Sequence, residues 1–189
     1  MATRIWMFGI ALGIAGALAG SPAFAAERTF TAGPMVGVRF FESDLNLESE
    51  VSFGGRIGMG FNERWGAVFD FVAAHPLRTT TGSEVVIDAL RAMAKANILT
   101  GKARPYLVAG LGGGMFLYPD APNSAHGMMT AGAGFEYHFA KTVFVVTEGS
   151  LDYFRAQSVF YYPDGRVVTF GPRETFTMGT ASLGIAVEF

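Results

Sequence analysis

The sequence contains no cysteine and is short of charge. Asp, Glu, Lys and Arg make up 16% of its 189 residues, whereas about 25% is typical of a soluble domain. The absence of cysteine excludes disulfide bonds, thiolate metal sites, a cysteine nucleophile and a lipoprotein anchor. The formal net charge of −2 gives no basis for nucleic-acid binding. The low charge and a hydrophobic content of 50% together argue against disorder and indicate one folded domain.

The first 25 residues have the organisation of a secretory signal peptide. Arg4 is the only charged residue before Glu27, and an apolar segment rich in Gly and Ala follows it. Ala23-Phe24-Ala25 matches a small-x-small cleavage site. An uncleaved membrane anchor is the alternative, although the apolar segment is shorter than the ~20 residues that a helical span requires. We therefore predict a signal peptide over residues 1–25 and one exported domain over residues 26–189.

Most of the exported domain alternates between apolar residues and small or polar ones. In one segment Val51, Phe53 and Ile57 share a face, while Ser52 and Arg56 lie on the opposite face. Period-two alternation of this length is typical of β-strands. Eight strands are predicted in up-and-down order: residues 30–40, 51–61, 65–73, 84–99, 104–118, 129–139, 143–153 and 175–189.

Two of these segments leave alternatives open. Residues 84–99 are rich in Ala, Leu, Met and Lys, a composition that also suits a helix. Residues 104–118 contain the glycine run "GLGGGM", which leaves the strand register undetermined. That run is not a phosphate-binding loop, because no helix start and no Lys-Ser/Thr pair follows it.

The connections alternate between short and long, as in outer-membrane barrels. The long ones are residues 42–50, 75–83, 119–126 and 155–172. Both termini lie on the side of the short turns, which we expect to be periplasmic. A soluble sandwich or lipocalin-like barrel would also alternate, but its solvent face would carry many charges. Here the face opposite the apolar one is mostly small, with a few isolated charges. We therefore predict an all-β fold, an eight-stranded antiparallel transmembrane β-barrel.

Aromatic residues gather near both ends of the predicted strands. Outer-membrane barrels carry two aromatic girdles at the membrane interfaces. We expect a girdle at the short turns and another at the long loops, made respectively of Phe61, Trp65, Tyr106, Tyr137, Phe139 and Phe189, and of Phe40, Phe116, Tyr118 and Phe154.

Three segments resemble a known family. The ending "TASLGIAVEF" is similar to the C-terminal assembly signal of bacterial outer-membrane proteins. The segments "RPYLVAGLGGGM" and "AGAGFEYHF" resemble strands of the small OmpA-type transmembrane domain and its OmpX-like and OmpW-like relatives. The resemblance implies location in the outer membrane, contact with its lipid, and recognition by the barrel-insertion machinery through Leu183, Ile185, Val187 and Phe189.

The resemblance also implies charges inside the barrel. Glu136 of "GFEY" falls on an acidic lumenal position of OmpA-type barrels, Lys95 of "AMAKAN" on a basic one and Asp70 on a third. Ser150 stands where those barrels have a lumenal arginine in strand seven. Independently of the family, the alternation places three further charges on the inner face, and a charge in a narrow lumen needs a partner. These are Arg56, Arg91 and Glu148. We expect the six to stabilise a plug rather than to gate a pore.

The sequence predicts no catalytic site, no cofactor and no metal. Ser124, His126 and Glu136 come nearest to a hydrolase triad, but the first two fall in a predicted loop. The three histidines, His75, His126 and His138, lack metal-ligand spacing.

The last loop is the most distinctive segment. In "SVFYYPDGRVVTFG" two β-prone runs flank a Pro-Asp-Gly turn, so the last two strands are expected to extend past the membrane as a hairpin. Exposed aromatic residues would make it a contact surface for an extracellular partner; they are Phe160, Tyr161, Tyr162 and Phe170. The predicted role is therefore structural or surface-interactive, in a monomer that does not bind nucleic acid. A narrow channel or a port for hydrophobic solutes is the alternative.

Overall fold

A computed structural model of the chain describes residues 28–119, 123–161 and 167–189, and of residues 156–161 and 167–173 it describes the backbone alone. The predicted signal peptide, residues 1–25, lies outside the described residues, as does Tyr162. Within the described ranges, no helix is long and apolar enough to cross a membrane.

Eight antiparallel strands form a closed barrel in sequence order, so the predicted fold class is confirmed. The segment that could have been a helix is a strand, in which successive side chains point alternately inward and outward. A short 3₁₀ helix, Ser43–Leu45, follows the first strand. The strands are β1 (Thr29–Phe41), β2 (Glu50–Gly60), β3 (Trp65–Ala74), β4 (Val86–Asn97), β5 (Ala103–Leu117), β6 (Ser124–His138), β7 (Val143–Tyr161) and β8 (Val167–Glu188).

The barrel closes where β1 pairs with β8. Met35 lies opposite Gly184, and the ladder continues from Val36 to Phe41. At the end of the chain, Phe30 N donates to Phe189 O at 2.9 Å and Phe189 N donates to Phe30 O at 2.9 Å. The last residue thus contributes two hydrogen bonds to the seam that removes both sheet edges.

The two ends of the barrel differ. One end of the barrel has tight turns, formed by residues 61–64, 98–102 and 139–142. β1 begins and β8 ends at this same end. We call this the short-turn end and the opposite one the long-loop end. The last predicted loop is largely strand, because β7 continues to Tyr161 and β8 begins at Val167.

The glycine run in β5 has a defined register in the structure. Arg91 of β4 lies opposite Gly112, and Lys95 lies opposite Val108. A Cβ at Gly112 would crowd the backbone oxygen of Leu90. Glycine therefore allows β5 to run close beside β4, in agreement with the interpretation of a glycine run in a strand as a site of close strand packing or a local bend.

The outer wall of the barrel is apolar. Large hydrophobic side chains are exposed along it, with fractions such as 64% for Phe53 and 51% for Ile57. Asp88, the third residue of β4, and Arg155, at the long-loop rim, are charged residues on the same wall. A wall of this kind cannot face water over its whole circumference without exposing a very large apolar patch.

The predicted aromatic girdles are wrong at four positions, one of which is Tyr118, because it packs against the inner apolar cluster of Phe116, Phe154 and Met178. Tyr106, Phe116 and Phe154 are only 1%, 2% and 3% exposed, because they point into the barrel. Strand ends collect aromatic residues on both faces, and the glycine run had concealed which face of β5 points inward. Trp65 and Tyr137, among others of the predicted set, do lie on the outer wall.

Candidate functional site: the charged interior

Among the described residues, eight charged side chains that are each at most 14% exposed project into the barrel and pair with one another. They balance formally, since four are cations and four are carboxylates. Six were expected on this face from the sequence, and Arg39 and Asp152 were missed. The set consists of Arg39, Arg56, Arg91, Lys95, Asp70, Glu136, Glu148 and Asp152.

The centre of the network is a row across three neighbouring strands. Asp70 of β3 lies opposite Arg56 of β2 on one side and opposite Arg91 of β4 on the other. Arg56 donates from Nε and Nη2 to the two carboxylate oxygens of Asp70, each at 2.7 Å. Arg91 Nη2 donates to Asp70 Oδ2 at 3.0 Å. Two-point arginine–carboxylate contacts are among the strongest hydrogen bonds in proteins.

A second row joins the far wall to Arg56. Tyr106, Gly134 and Glu148 face each other across β5, β6 and β7. The Tyr106 hydroxyl donates to Glu148 Oε2 at 2.9 Å and accepts from Arg56 Nη1 at 3.0 Å. Arg56 Nη2 also lies 2.7 Å from Glu148 Oε2. A Cβ at position 134 would collide with the Tyr106 ring, so Gly134 is what lets the ring lie flat against the wall.

A third group connects β1 with β7. Arg39 Nη2 donates to Asp152 Oδ2 at 2.8 Å, and both side chains are fully buried. Asp152 Oδ1 also accepts from the Thr130 hydroxyl at 2.6 Å. Arg91 Nη1 donates to Ser150 Oγ at 2.9 Å. Ser150, which replaces the lumenal arginine expected from the resemblance, is therefore bonded to an arginine supplied by another strand.

Lys95 and Glu136 form a separate pair nearer the short-turn end. Lys95 Nζ donates to Glu136 Oε1 and lies 4.7 Å from the centre of the Tyr106 ring. The pair borders a vestibule of ≈ 550 Å³ that is also lined by Arg104 and Glu188. His138, beside Glu136, stacks on Phe144 with ring centres 4.5 Å apart.

One strand passes through every layer of the interior. From the long-loop end, the inward residues of β4 begin with Ile87, which belongs to an apolar cluster with Phe116, Phe154 and Met178. Arg91 follows in the ionic layer. Met93 then lies in a second apolar cluster, and Lys95 borders the vestibule. Along this strand the order is apolar, ionic, apolar, vestibule.

Comparison with solved structures identifies the fold. Neisserial surface protein A matches with a TM-score of 0.58 and 16% identity, over 87% of this chain and 98% of that one. The N-terminal β-barrel domain of Pseudomonas aeruginosa OprF matches with a TM-score of 0.52 and 17% identity, over 84% and 97%. The outer membrane protein OprG of the same organism matches with a TM-score of 0.51 and 11% identity, over 87% and 96%.

The chain has the fold of a small outer-membrane β-barrel. No protein-family model matches the sequence, and no curated protein matches it. At these identities the shared property is the fold, so the role of this barrel has to be argued from its own residues.

The residues of the predicted assembly signal line the outside of this barrel fold. The exposed fractions of Leu183, Ile185, Val187 and Phe189 are 51%, 55%, 44% and 74%. Of the predicted loop contacts, residues 160, 161 and 170 belong to β7 and β8, where only the backbone is described.

The nearest approach to a hydrolase triad is not assembled. Ser124 and His126 lie at the start of β6 rather than in a loop, and His126 Nε2 is 3.2 Å from Ser124 Oγ. Glu136 is ten residues further along the same strand, about 33 Å away at the usual rise of a β-strand. In the part of the chain that the structure describes, no group of His, Asp and Glu residues is arranged to hold a metal ion.

Alternation could have identified both missed charges. Arg39 lies between the outward residues Val38 and Phe40, and Asp152 lies between Leu151 and Tyr153. Each is thus on the inner face by parity. Alternation could not have predicted the ion pair between Arg39 and Asp152, because β8 separates β1 from β7 in the barrel.

Proposed function

We propose that the chain is an integral protein of the bacterial outer membrane, exported with a signal peptide that is removed, and with its termini in the periplasm. The observation that carries this proposal is the division of side chains, with the ion pairs inside and an apolar wall outside. In lipid every backbone polar group needs a partner within the protein, and a closed barrel meets this requirement. Assembly would use the barrel-insertion machinery, with membrane lipid around a monomer.

Cell fractionation and gel mobility test this proposal. The protein is expected in the outer-membrane fraction, as a compact band in unheated detergent that shifts after boiling. A periplasmic protein without a shift would refute membrane insertion and would leave a soluble barrel. The control is the protein unfolded in urea and not refolded, which should migrate in the same way with and without boiling.

We further propose a sealed interior and a structural or surface-interaction role without enzymatic turnover. Support comes from two apolar clusters on either side of the ionic layer. Moving an ion through these clusters would strip it of water, which is costly without compensating groups.

We expect no conductance in planar bilayers for the wild type, for Glu136→Gln or for Lys95→Met. Steady conductance that changes in these variants would instead favour the channel. A port for hydrophobic solutes would require uptake of an apolar dye into vesicles, which we expect to be no faster than through lipid alone.

The last hairpin is our proposed contact surface. β6 pairs with β7 only as far as Phe154, and β1 pairs with β8 only as far as Met178. β7 and β8 nevertheless remain paired with each other up to Tyr161 and Val167. This geometry supports a two-stranded projection beyond the rim, which we place on the extracellular side.

A deletion tests the role of the hairpin. Removal of residues 161–167 should leave the heat-dependent gel shift intact and abolish adhesion of barrel-displaying cells to surfaces coated with extracellular proteins and glycans. Removal of residues 79–82, in the loop between β3 and β4, is the matched control and should leave adhesion unchanged. Equal adhesion of wild type and hairpin deletion would contradict the proposal.

A further inference from the structure

A small, partly enclosed space lies beside the ionic layer. The volume available to the centre of a water molecule is ≈ 10 Å³, which is room for one water molecule and for no larger ligand. Its wall includes backbone of β1 and β2 and the polar residues Ser52, Asp70, Arg91, Thr180 and Ser182. Apolar cavities of this size stay dry, whereas polar ones hold water that bonds to several wall groups.

Two polar atoms of that wall have no hydrogen-bond partner among the described residues. They are Arg91 Nε and Thr180 Oγ1. Both residues are only 4% exposed, so bulk water does not solvate these atoms. A buried donor left without a partner costs free energy comparable to a lost hydrogen bond. Nη2 of Arg91 donates to Asp70, and its Nη1 donates to Ser150 and lies 3.5 Å from Asp152 Oδ1. Nε is therefore the one nitrogen of this guanidinium without a partner among the described residues.

The charge balance decides between a water molecule and an anion. Within the ionic layer Arg39, Arg56 and Arg91 face Asp70, Glu148 and Asp152. An added chloride would leave a buried net negative charge, which is expensive in a low-dielectric interior. A water oxygen can accept from Arg91 and still offer two protons. The Asp70 carboxylate has lone pairs beyond those that its arginines use, since two oxygens provide about four acceptor sites.

We propose that this space is a binding site for one ordered water molecule. Its oxygen accepts a hydrogen bond from Arg91 Nε–H, and its protons are donated to Thr180 Oγ1 and to the Asp70 carboxylate. The water links β8 to β3 and β4 across the barrel, between strands that are not neighbours. It thereby gives Arg91 Nε and Thr180 Oγ1 the hydrogen-bond partners that they lack among the described residues.

A high-resolution crystal structure of the refolded barrel, with a second crystal soaked in bromide, tests the site. The expected result is one density peak within hydrogen-bond distance of Arg91 Nε and Thr180 Oγ1, without anomalous signal in the bromide crystal. An anomalous peak would identify an anion and overturn the proposal, and the absence of any peak would overturn it as well.

Two variants test the anchoring of the water. Thr180→Val keeps the shape of the side chain but removes the hydroxyl, and the peak should disappear. Thr180→Ser restores the hydroxyl and should restore the peak. Thr147→Val, on the outer wall, is the control that should leave it in place. If the Val variant does not refold, Thr180→Ala serves in its place, and a peak that persists in either variant would contradict the assignment.

Discussion

Replacing Asp152 by asparagine is expected to be the most damaging single change at one end of the ionic network. Arg39 and Asp152 are both fully buried and 2.8 Å apart. Among the described residues Arg39 has Asp152 as its one salt-bridge partner, and its Nε and Nη1 are already without hydrogen bonds. Asp152→Asn leaves the guanidinium buried without a counter-charge, which typically costs about 3–5 kcal/mol.

The reverse change should cost less. In Arg39→Met the carboxylate of Asp152 keeps the Thr130 hydroxyl at 2.6 Å and Arg91 Nη1 at 3.5 Å. The methionine also fills part of the space of the arginine side chain. We expect a loss of about 1–3 kcal/mol, in the range for a buried hydrogen-bonded group that loses one of its partners. The double variant should lose less than the sum of the two single losses, because the residues are coupled.

The assay is reversible urea unfolding of the barrel refolded in lipid vesicles, followed by tryptophan fluorescence. Trp65 is the one tryptophan in residues 26–189, so the signal has a single source. The free energy of unfolding follows from linear extrapolation. Lys141→Met, in an exposed turn, is the control and should change it little. The reasoning is refuted if Asp152→Asn is within about 0.5 kcal/mol of the wild type, or if Arg39→Met is the more damaging variant.

Three further predictions concern single positions. Gly134→Ala should displace the Tyr106 ring and lower the free energy of unfolding by about 1–3 kcal/mol. Gly149→Ala is the control and should have no such effect, because a Cβ at that position has open space around it. Equal effects of the two variants on urea unfolding would contradict the packing argument. Deletion of Phe189 should lower the membrane-inserted fraction in cells, because two hydrogen bonds of the closing seam are lost; normal insertion would mean that the ending is not an assembly signal. Ile57→Arg, on the outer wall, should lower stability in vesicles by about 2–4 kcal/mol if that position lies near the bilayer midplane; an unchanged urea midpoint would argue against lipid contact there.

Alternation with a period of two indicates the inner face of a strand from the sequence alone wherever its two faces differ in composition. Alternation alone places Arg56, Arg91 and Glu148 on the inner face of their strands, and the structure has all three inside the barrel. The same parity holds for Arg39 and Asp152, which were overlooked although the rule identifies them. For β4, an alternating pattern outweighed a helical composition, because packing in the barrel overrides intrinsic propensity.

The inner face could not be predicted for the glycine-rich strand β5. In β5 both faces contain glycine or small residues, so nothing in the pattern indicated that Tyr106 points inward. Its position depends on Gly134, a residue of the next strand, whose missing side chain leaves room for the ring. Such complementarity between strands is invisible when each strand is considered alone.

The sequence by itself determined the number of strands, their order and the apolar outer wall, because these follow from local alternation and turn lengths. The tertiary structure decided which charges are partners. Closure brings β1 and β7 near enough for Arg39 to reach Asp152, and register sets Asp70 between Arg56 and Arg91. The alternation within one strand determines on which face of the sheet a charge lies. Its position along the barrel axis and its partner depend on the register of several strands together.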